Sequence, residues 1–254
     1  MATEPSEPTP DDVKDDDQSI KVMTQIISFI QKRGYSPGER LPSERDLAER
    51  FSVGRGLIRE ALTTLETVRY LERRPNSGVF LHRLPSEMSL EALSLYSTLG
   101  LPLAPRDMAE SLEVRRILEV KAVTIACDRR VQSDIDTMKA LLAASEEAIA
   151  KGESIATLDY EFHLAIFKAT RNSIFVRIVR PFYTILIDPR KAFFKNPENC
   201  RISHSHHVQI VDAIIARDSA RAVAVMEEHI GRVEKYYVEQ ADSMSSEPPA
   251  AAAR

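Results

Sequence analysis

The chain has 254 residues, 43% of them hydrophobic, with a formal net charge of −4 and an isoelectric point near 5.9. This length allows one or two domains with buried cores. The overall acidity excludes a uniformly basic nucleic-acid coat, and no apolar run is long enough to span a bilayer. Cys127 and Cys200 lie far apart without CxxC spacing and read as two reduced thiols. The acidic, proline-rich start is not a signal peptide, so a cytoplasmic location is expected.

The mean charge hides a split. Residues 1–17 carry one Lys against seven acidic residues, whereas residues 18–84 carry twelve Lys/Arg against seven. Residues 1–17 therefore read as a disordered acidic leader, followed by a basic block able to face phosphates. A first helix is expected over Ser19–Arg33, with Ile20, Met23, Ile26, Ile27 and Ile30 on one stripe, and GYSPGERLP breaks it. Ser43, with Asp46 three residues on, is an N-cap pattern that opens a helix burying Leu47, Ala48 and Phe51. After a turn at 52–54, a further helix runs from Arg55 to Val68 with Ile58, Ala61, Leu62 and Leu65 inward. Tyr70–Arg74 and Val79–His82 follow as strands joined by Pro-Asn-Ser-Gly.

Beyond residue 88 nothing alternates with period two. Helices are expected at Ser89–Leu99, Arg106–Arg130, Ser133–Ala150, Thr157–Thr170, Ser173–Phe194 (interrupted at Pro181), Glu198–Arg217 and Ser219–Gln240. In Arg106–Arg130 the inward residues are expected to be Leu112, Ile117, Val120, Val123 and Ile125. The fold class is mostly α: an N-terminal winged helix-turn-helix over 18–84, then an all-helical bundle over 85–240, with a disordered tail at 241–254.

The helix-turn-helix-hairpin order points to major-groove reading, because the N-terminal residues of such a second helix reach base edges. Arg55 and Arg59 share one face of it, and each guanidinium can donate a parallel pair of hydrogen bonds to guanine. Arg45 is placed to reach a phosphate or base at the groove edge. Arg73 and Arg74 are candidate phosphate contacts, and Gly78 allows close approach of the wing backbone. Glu60 reads as an internal partner for an arginine. ERLPSERDLAERFSVGRGLIREALTTLE with YLERRPNSGVFL resembles the DNA-binding domain of the GntR family of bacterial regulators. The chain departs from the family at Gly54, where Ser is usual, and at Gly56–Leu57.

Four polar residues fall on apolar helix faces in the second half. Asp159 and His163 are i,i+4 neighbours, with Ile166 and Phe167 on the same face. His207 aligns with Ile210, Val211 and Ile214, and His229 with Val225, Met226 and Val233. One carboxylate and three imidazoles from three helices suit a divalent transition metal, with Zn, Ni and Mn all compatible. His206 replaces His207 if the register is shifted by one; otherwise His204 and His206 are surface residues.

EVRRILE, DYEFHLAIFKATRN, HHVQIVDAI and AVAVMEEHI are similar to the FCD ligand-binding domain of the FadR subfamily, which has six or seven helices. That resemblance implies metal ligation by Asp159, His163, His207 and His229 and a small carboxylate effector bound with help from Arg115, or Arg116 if the helix is rotated. Asn172 matches a recurrent family position and reads first as a helix C-terminal αL residue, second as an effector contact. The expected function is a homodimeric DNA-binding regulator, in the repressor sense, acting on a palindromic operator of double-stranded DNA. The competing reading is a metal-dependent hydrolase or isomerase with an appended DNA-binding domain. It lacks a general base beside the cluster and any nucleophile motif, so no enzyme activity is expected.

Overall fold

Proline at the first helical position and negative charge in the first turns both favour helix initiation. The computed structural model, which describes residues 10–82, 89–99 and 103–245, accordingly starts helix α1 at Pro10 and carries it to Arg33. Residues 10–17, expected to be disordered, are thus its first turns, and only 1–9 of the leader lie outside the described residues. By contacts the chain divides into two units between Pro102 and Leu103. The joint expected near 83–88 also lies outside the described residues.

The N-terminal unit contains α1, α2 (Glu44–Phe51), α3 (Arg55–Thr67), strands β1 (Leu71–Arg74) and β2 (Gly78–Leu81), and α4 (Leu90–Thr98). The Ser43 hydroxyl accepts from the Asp46 N–H while the Asp46 carboxylate accepts from the Ser43 N–H, a reciprocal cap that fixes where α2 begins. Val22, Met23, Ile26, Ile27 and Ile30 of α1 pack against Leu47, Ile58, Leu62 and Leu65. Ile20, expected on that stripe, faces outward, and Val22 takes its place. The strands pair antiparallel with Leu71 opposite Leu81 and Arg74 opposite Gly78. Gly38–Leu41, read as a simple break, adds a third extended segment: the Leu41 N–H donates to Val79 O at 2.8 Å and the Leu81 N–H to Glu39 O at 2.9 Å. Helix α4 was expected in the second domain. It belongs to the first unit, because the Tyr96 ring meets the Tyr70 ring edge-on at 5.4 Å and Leu95 packs on the same core.

The C-terminal unit is helical throughout its described residues: α5 (Pro105–Arg129), α6 (Gln132–Ala150), α7 (Ala156–Ala169), α8 (Ser173–Ile185), α9 (Ile187–Phe193), α10 (Pro197–Ala216) and α11 (Ser219–Ser245). These seven segments arise because the expected Ser173–Phe194 helix breaks at the fully buried Leu186, not at Pro181, which α8 accommodates. Helix α6 starts one residue before the expected Ser133, with Asp134 accepting from the Val131 N–H. Helix α11 continues through 241–245, five residues into the expected tail. Helix α7 is the centre of the unit, with Phe162 through Phe167 buried without interruption. Helix α5 turns Leu112, Arg115, Glu119, Ala122, Val123 and Ala126 inward, whereas Ile117 is 61% exposed. Its C-terminal arginine, Arg130, donates to the last carbonyls of α10 at Ile214 and Ile215. Arg217 returns the favour to Cys127 O, so the two helix ends are tied together.

Candidate metal centre and nucleic-acid interface

Recognition of a duplex needs exposed donors on a rigid element, and α3 provides them first at Arg55. Gly54 precedes it as a cap without a side-chain acceptor, leaving the first N–H groups of α3 without side-chain partners. Arg55 is exposed and has no ion-pair partner among the described residues. Arg59 is 62% exposed yet tethered: its Nε and Nη2 donate to Glu44 Oε2 at 3.2 and 3.0 Å. Arg73 Nη1 donates to the other Glu44 oxygen at 3.2 Å, and its Nε to Glu66 at 3.2 Å. Hydrogen bonding from Arg59 above all, with help from Arg73, holds the Glu44 carboxyl below its ordinary pKa despite partial burial, which acts the other way. The acid that engages these arginines is Glu44 at the start of α2. Glu60 points outward and takes no ion pair among the described residues.

Arg45 is 72% exposed, with only loose contacts to Asp46 and Glu49 at 3.8 Å. Arg74 is committed within the hairpin, paired with Glu72 at 2.9 Å and stacked 4.0 Å over the Phe80 ring. Gly78 opens β2 opposite Arg74 and is not at the wing tip, which is Pro75–Asn76–Ser77. At φ +109 it leaves room for Arg40, whose Nε would lie 3.1 Å from an added Cβ. Arg40 is therefore an exposed cation on the wing that sequence patterning did not single out. Its only sequence signal is its place in the third extended segment.

Within the C-terminal unit, α7, α10 and α11 bring four side chains to one point. One ligand atom from each of Asp159, His163, His207 and His229 lies within 4.8 Å of the others, and all four residues are buried. The Asp159 carboxylate oxygen Oδ1 is 3.3, 3.7 and 3.9 Å from the Nε2 atoms of His207, His163 and His229, and it makes no hydrogen bond of good geometry. His163 Nε2 and His229 Nε2 are 3.1 Å apart. A buried carboxylate oxygen without a donor, facing three imidazole nitrogens, is a donor set that a divalent cation satisfies at once.

Burial pushes the His207 pKa down to about 4 and that of His229 well below the ordinary imidazole value, so both imidazoles are neutral at pH 7 and need shed no proton to bind metal. Burial raises the Asp159 pKa, but the approach of the His207 imidazole at 3.3 Å and of the His163 and His229 imidazoles outweighs it and leaves the carboxyl far below its ordinary value. His206, expected at the surface, is buried and outside the cluster, with its Nε2 3.7 Å from Glu228.

Behind His163 stands a carboxylate that the sequence did not mark. Glu119 of α5 is fully buried, with Oε2 3.0 Å from His163 Nδ1. That contact places the His163 proton on Nδ1 and turns the Nε2 lone pair toward the cluster. The Tyr183 hydroxyl donates to Glu119 Oε1, and Arg115 Nε approaches the same oxygen at 3.4 Å. Burial pushes the Glu119 pKa up, yet His163, Arg115 and Tyr183 together bring it below the ordinary value. Arg115 is 2% exposed and lies 4.8 Å over the Tyr183 ring, whereas Arg116 is half exposed and meets Glu234 at 3.6 Å. Asn172 is not the αL residue; Arg171 is, at φ +57. Asn172 instead caps α8, its side-chain oxygen accepting from the Ile174 and Phe175 N–H groups.

Comparisons with known proteins agree with both units. The gntR family of bacterial regulatory proteins matches residues 19–81, and the FCD domain matches residues 110–232. The Uxu operon transcriptional regulator of Escherichia coli K12 is 30% identical over 234 residues, spanning 86% of each chain. The HTH-type transcriptional regulator LutR of Bacillus subtilis is 28% identical over 211 residues, spanning 81% of this chain and 94% of that one. A solved structure described as Lar, which controls the Listeria monocytogenes agr system, shares the fold with a TM-score of 0.61 at 18% identity, over 92% of this chain and 99% of that one. These relatives are regulators, which sets aside the hydrolase or isomerase reading. The chain belongs to the GntR family of bacterial regulatory proteins, with an FCD domain following its DNA-binding domain, and is a DNA-binding transcriptional regulator, not an enzyme.

Proposed function

We propose that this regulator is a cytoplasmic homodimeric repressor that holds a divalent metal on Asp159, His163, His207 and His229 and releases a palindromic operator when a small carboxylate effector binds. The observation that carries the reading is the undonated Asp159 Oδ1 set among three imidazole nitrogens. A bound Zn, Ni or Mn ion supplies a Lewis-acidic point for an effector oxygen. Glu119 orients His163, and Arg115 is the proposed cationic partner of the effector carboxylate. Asn172 has committed its amide oxygen to the α8 cap and keeps only its amide NH₂ for a ligand. The repressor sense agrees with relatives named HTH-type transcriptional repressor NanR, for instance that of Cronobacter sakazakii at 27% identity. Two-fold symmetry would place two copies of Arg45, Arg55, Arg59, Arg74 and Gly78 against two half-sites of one operator.

The ligands come from three helices far apart in sequence, so metal binding favours the folded state by mass action. Removing the ion with a chelator is expected to lower the melting temperature by about 5–10 °C, the equivalent of about 2.7 kcal/mol at a metal concentration about 100 times the Kd. Reloading should restore it. Thermal denaturation with metal analysis checks this, and identical melting of metal-free and metal-supplied protein refutes it.

A further inference from the structure

A guanidinium without a resident carboxylate, carried on a thin and rigid element, is equipped to enter a narrow groove of negative potential. Arg40 is such a group. The segment Gly38–Leu41 runs beside β2, with the Gly38 N–H donating to Leu81 O at 2.8 Å and Arg40 bridged antiparallel to Phe80. Residues opposite one another across strands share a face, as do residues two apart on one strand. Arg40, Phe80, Gly78 and Arg74 therefore lie on one face of the wing, and Val79 and Leu81 on the other. The Arg74 guanidinium 4.0 Å over the Phe80 ring agrees with this. From its place opposite Phe80, the Arg40 side chain runs toward the wing tip. Its Nε, Nη2 and Cζ lie 3.1, 3.4 and 3.6 Å from where a Cβ on Gly78 would stand, so the guanidinium rests against the bare glycine. Beyond it the tip holds Pro75, Asn76 and Ser77, none with a long side chain.

The cations of the wing differ in how far they are neutralised. Arg73 is tied to Glu44 and Glu66, and Arg74 to Glu72. Glu39, next to Arg40 in sequence, accepts from the Ser36 N–H at 2.9 Å. Arg40 is exposed and has no ion pair among the described residues. We infer that Arg40 enters the minor groove beside the bases that α3 contacts and sets a preference for A·T pairs there. Major and minor grooves alternate along a duplex, so a hairpin fixed to a helix in one reaches the other. The short link from α3 to β1 and the Arg73–Glu66 pair fix it. A·T-rich stretches narrow the minor groove and deepen its negative potential, and they lack the guanine amino group that would obstruct a guanidinium. The groove is only about 6 Å wide, and glycine under Arg40 keeps that edge of the wing thin. This role needs DNA binding by the N-terminal unit and nothing from the metal centre.

Selection of duplexes from a randomised pool, by the full chain and by Arg40→Ala, tests it. Wild type should enrich a shared core flanked by A·T pairs, and Arg40→Ala the same core with unbiased flanks. On one selected duplex, changing the flanking A·T pairs to G·C should weaken wild type by at least about fivefold, the low end of what a base position contributes, and Arg40→Ala by less than about twofold. The side chain is exposed, so the melting temperature of Arg40→Ala should match wild type. Arg40→Gln, which keeps the stem and removes the charge, should behave as Arg40→Ala does, and it decides the question if Arg40→Ala melts early. Wild type that is indifferent to the flanking change overturns the role, as does flank discrimination that survives in a folded variant. A loss in Arg40→Ala that is equal on both duplexes, with a salt slope shallower by about one, marks a phosphate contact and overturns it too.

Discussion

Arg59→Ala is expected to weaken operator binding more than Arg55→Ala, although each removes one guanidinium from the same face of α3. Loss of a base-reading arginine costs about 1–3 kcal/mol, or roughly 5- to 150-fold in affinity. Arg55 has no ion-pair partner among the described residues, so its replacement should cost that amount and relax selectivity at one base position. Arg59 also covers Glu44. Without it, Glu44 keeps only Arg73 and presents net negative charge toward the phosphates. Adding Glu44→Gln to Arg59→Ala should therefore recover part of the loss. Fluorescence anisotropy against operator and competitor duplexes measures both effects. Unchanged discrimination in Arg55→Ala would remove α3 from its assigned role.

His207→Ala should reduce metal affinity by more than about 100-fold, because changes one layer out already cost 10–100-fold. Glu119→Gln is such an outer change. It keeps the shape and withdraws the charge that fixes the His163 proton, so a loss of about 10–100-fold is expected. The melting temperature of His207→Ala should no longer respond to chelator. Competition with a chromogenic chelator gives both affinities. A His207→Ala protein that retains stoichiometric metal would show that the cluster is not the ligand set.

Local patterns with one physical meaning were legible in the chain. Ser43 and Asp46 at cap spacing set the start of α2, and the apolar periodicity that turned His163, His207 and His229 inward brought them together with Asp159. Features set by distant partners were not. Glu119, four residues after Arg115, looks like an ordinary solvated i,i+4 pair, and only packing against α7 and α8 shows that both are buried. Ile117 follows the apolar expectation for α5 and is nevertheless exposed, because Arg115 and Glu119 hold the inner face. Helix α4 has no local mark assigning it to either unit; the Tyr70–Tyr96 contact does so. Proline suggested a break at Pro181, yet α8 runs through it and meets α9 at the buried Leu186.

The pairing of Arg59 and Arg73 with Glu44 and Glu66 bears on how ionic strength governs this regulator. Each phosphate neutralised by a bare cation expels condensed counterions from the duplex, and the logarithm of the binding constant falls with the logarithm of salt in proportion. A guanidinium that already wears a resident carboxylate must first exchange one anion for another. Its electrostatic gain is smaller, and less of the attraction is tuned by the medium. The slope should then be shallower than the number of arginines facing the groove implies, and the regulator would keep its grip on DNA across a wider range of cellular salt.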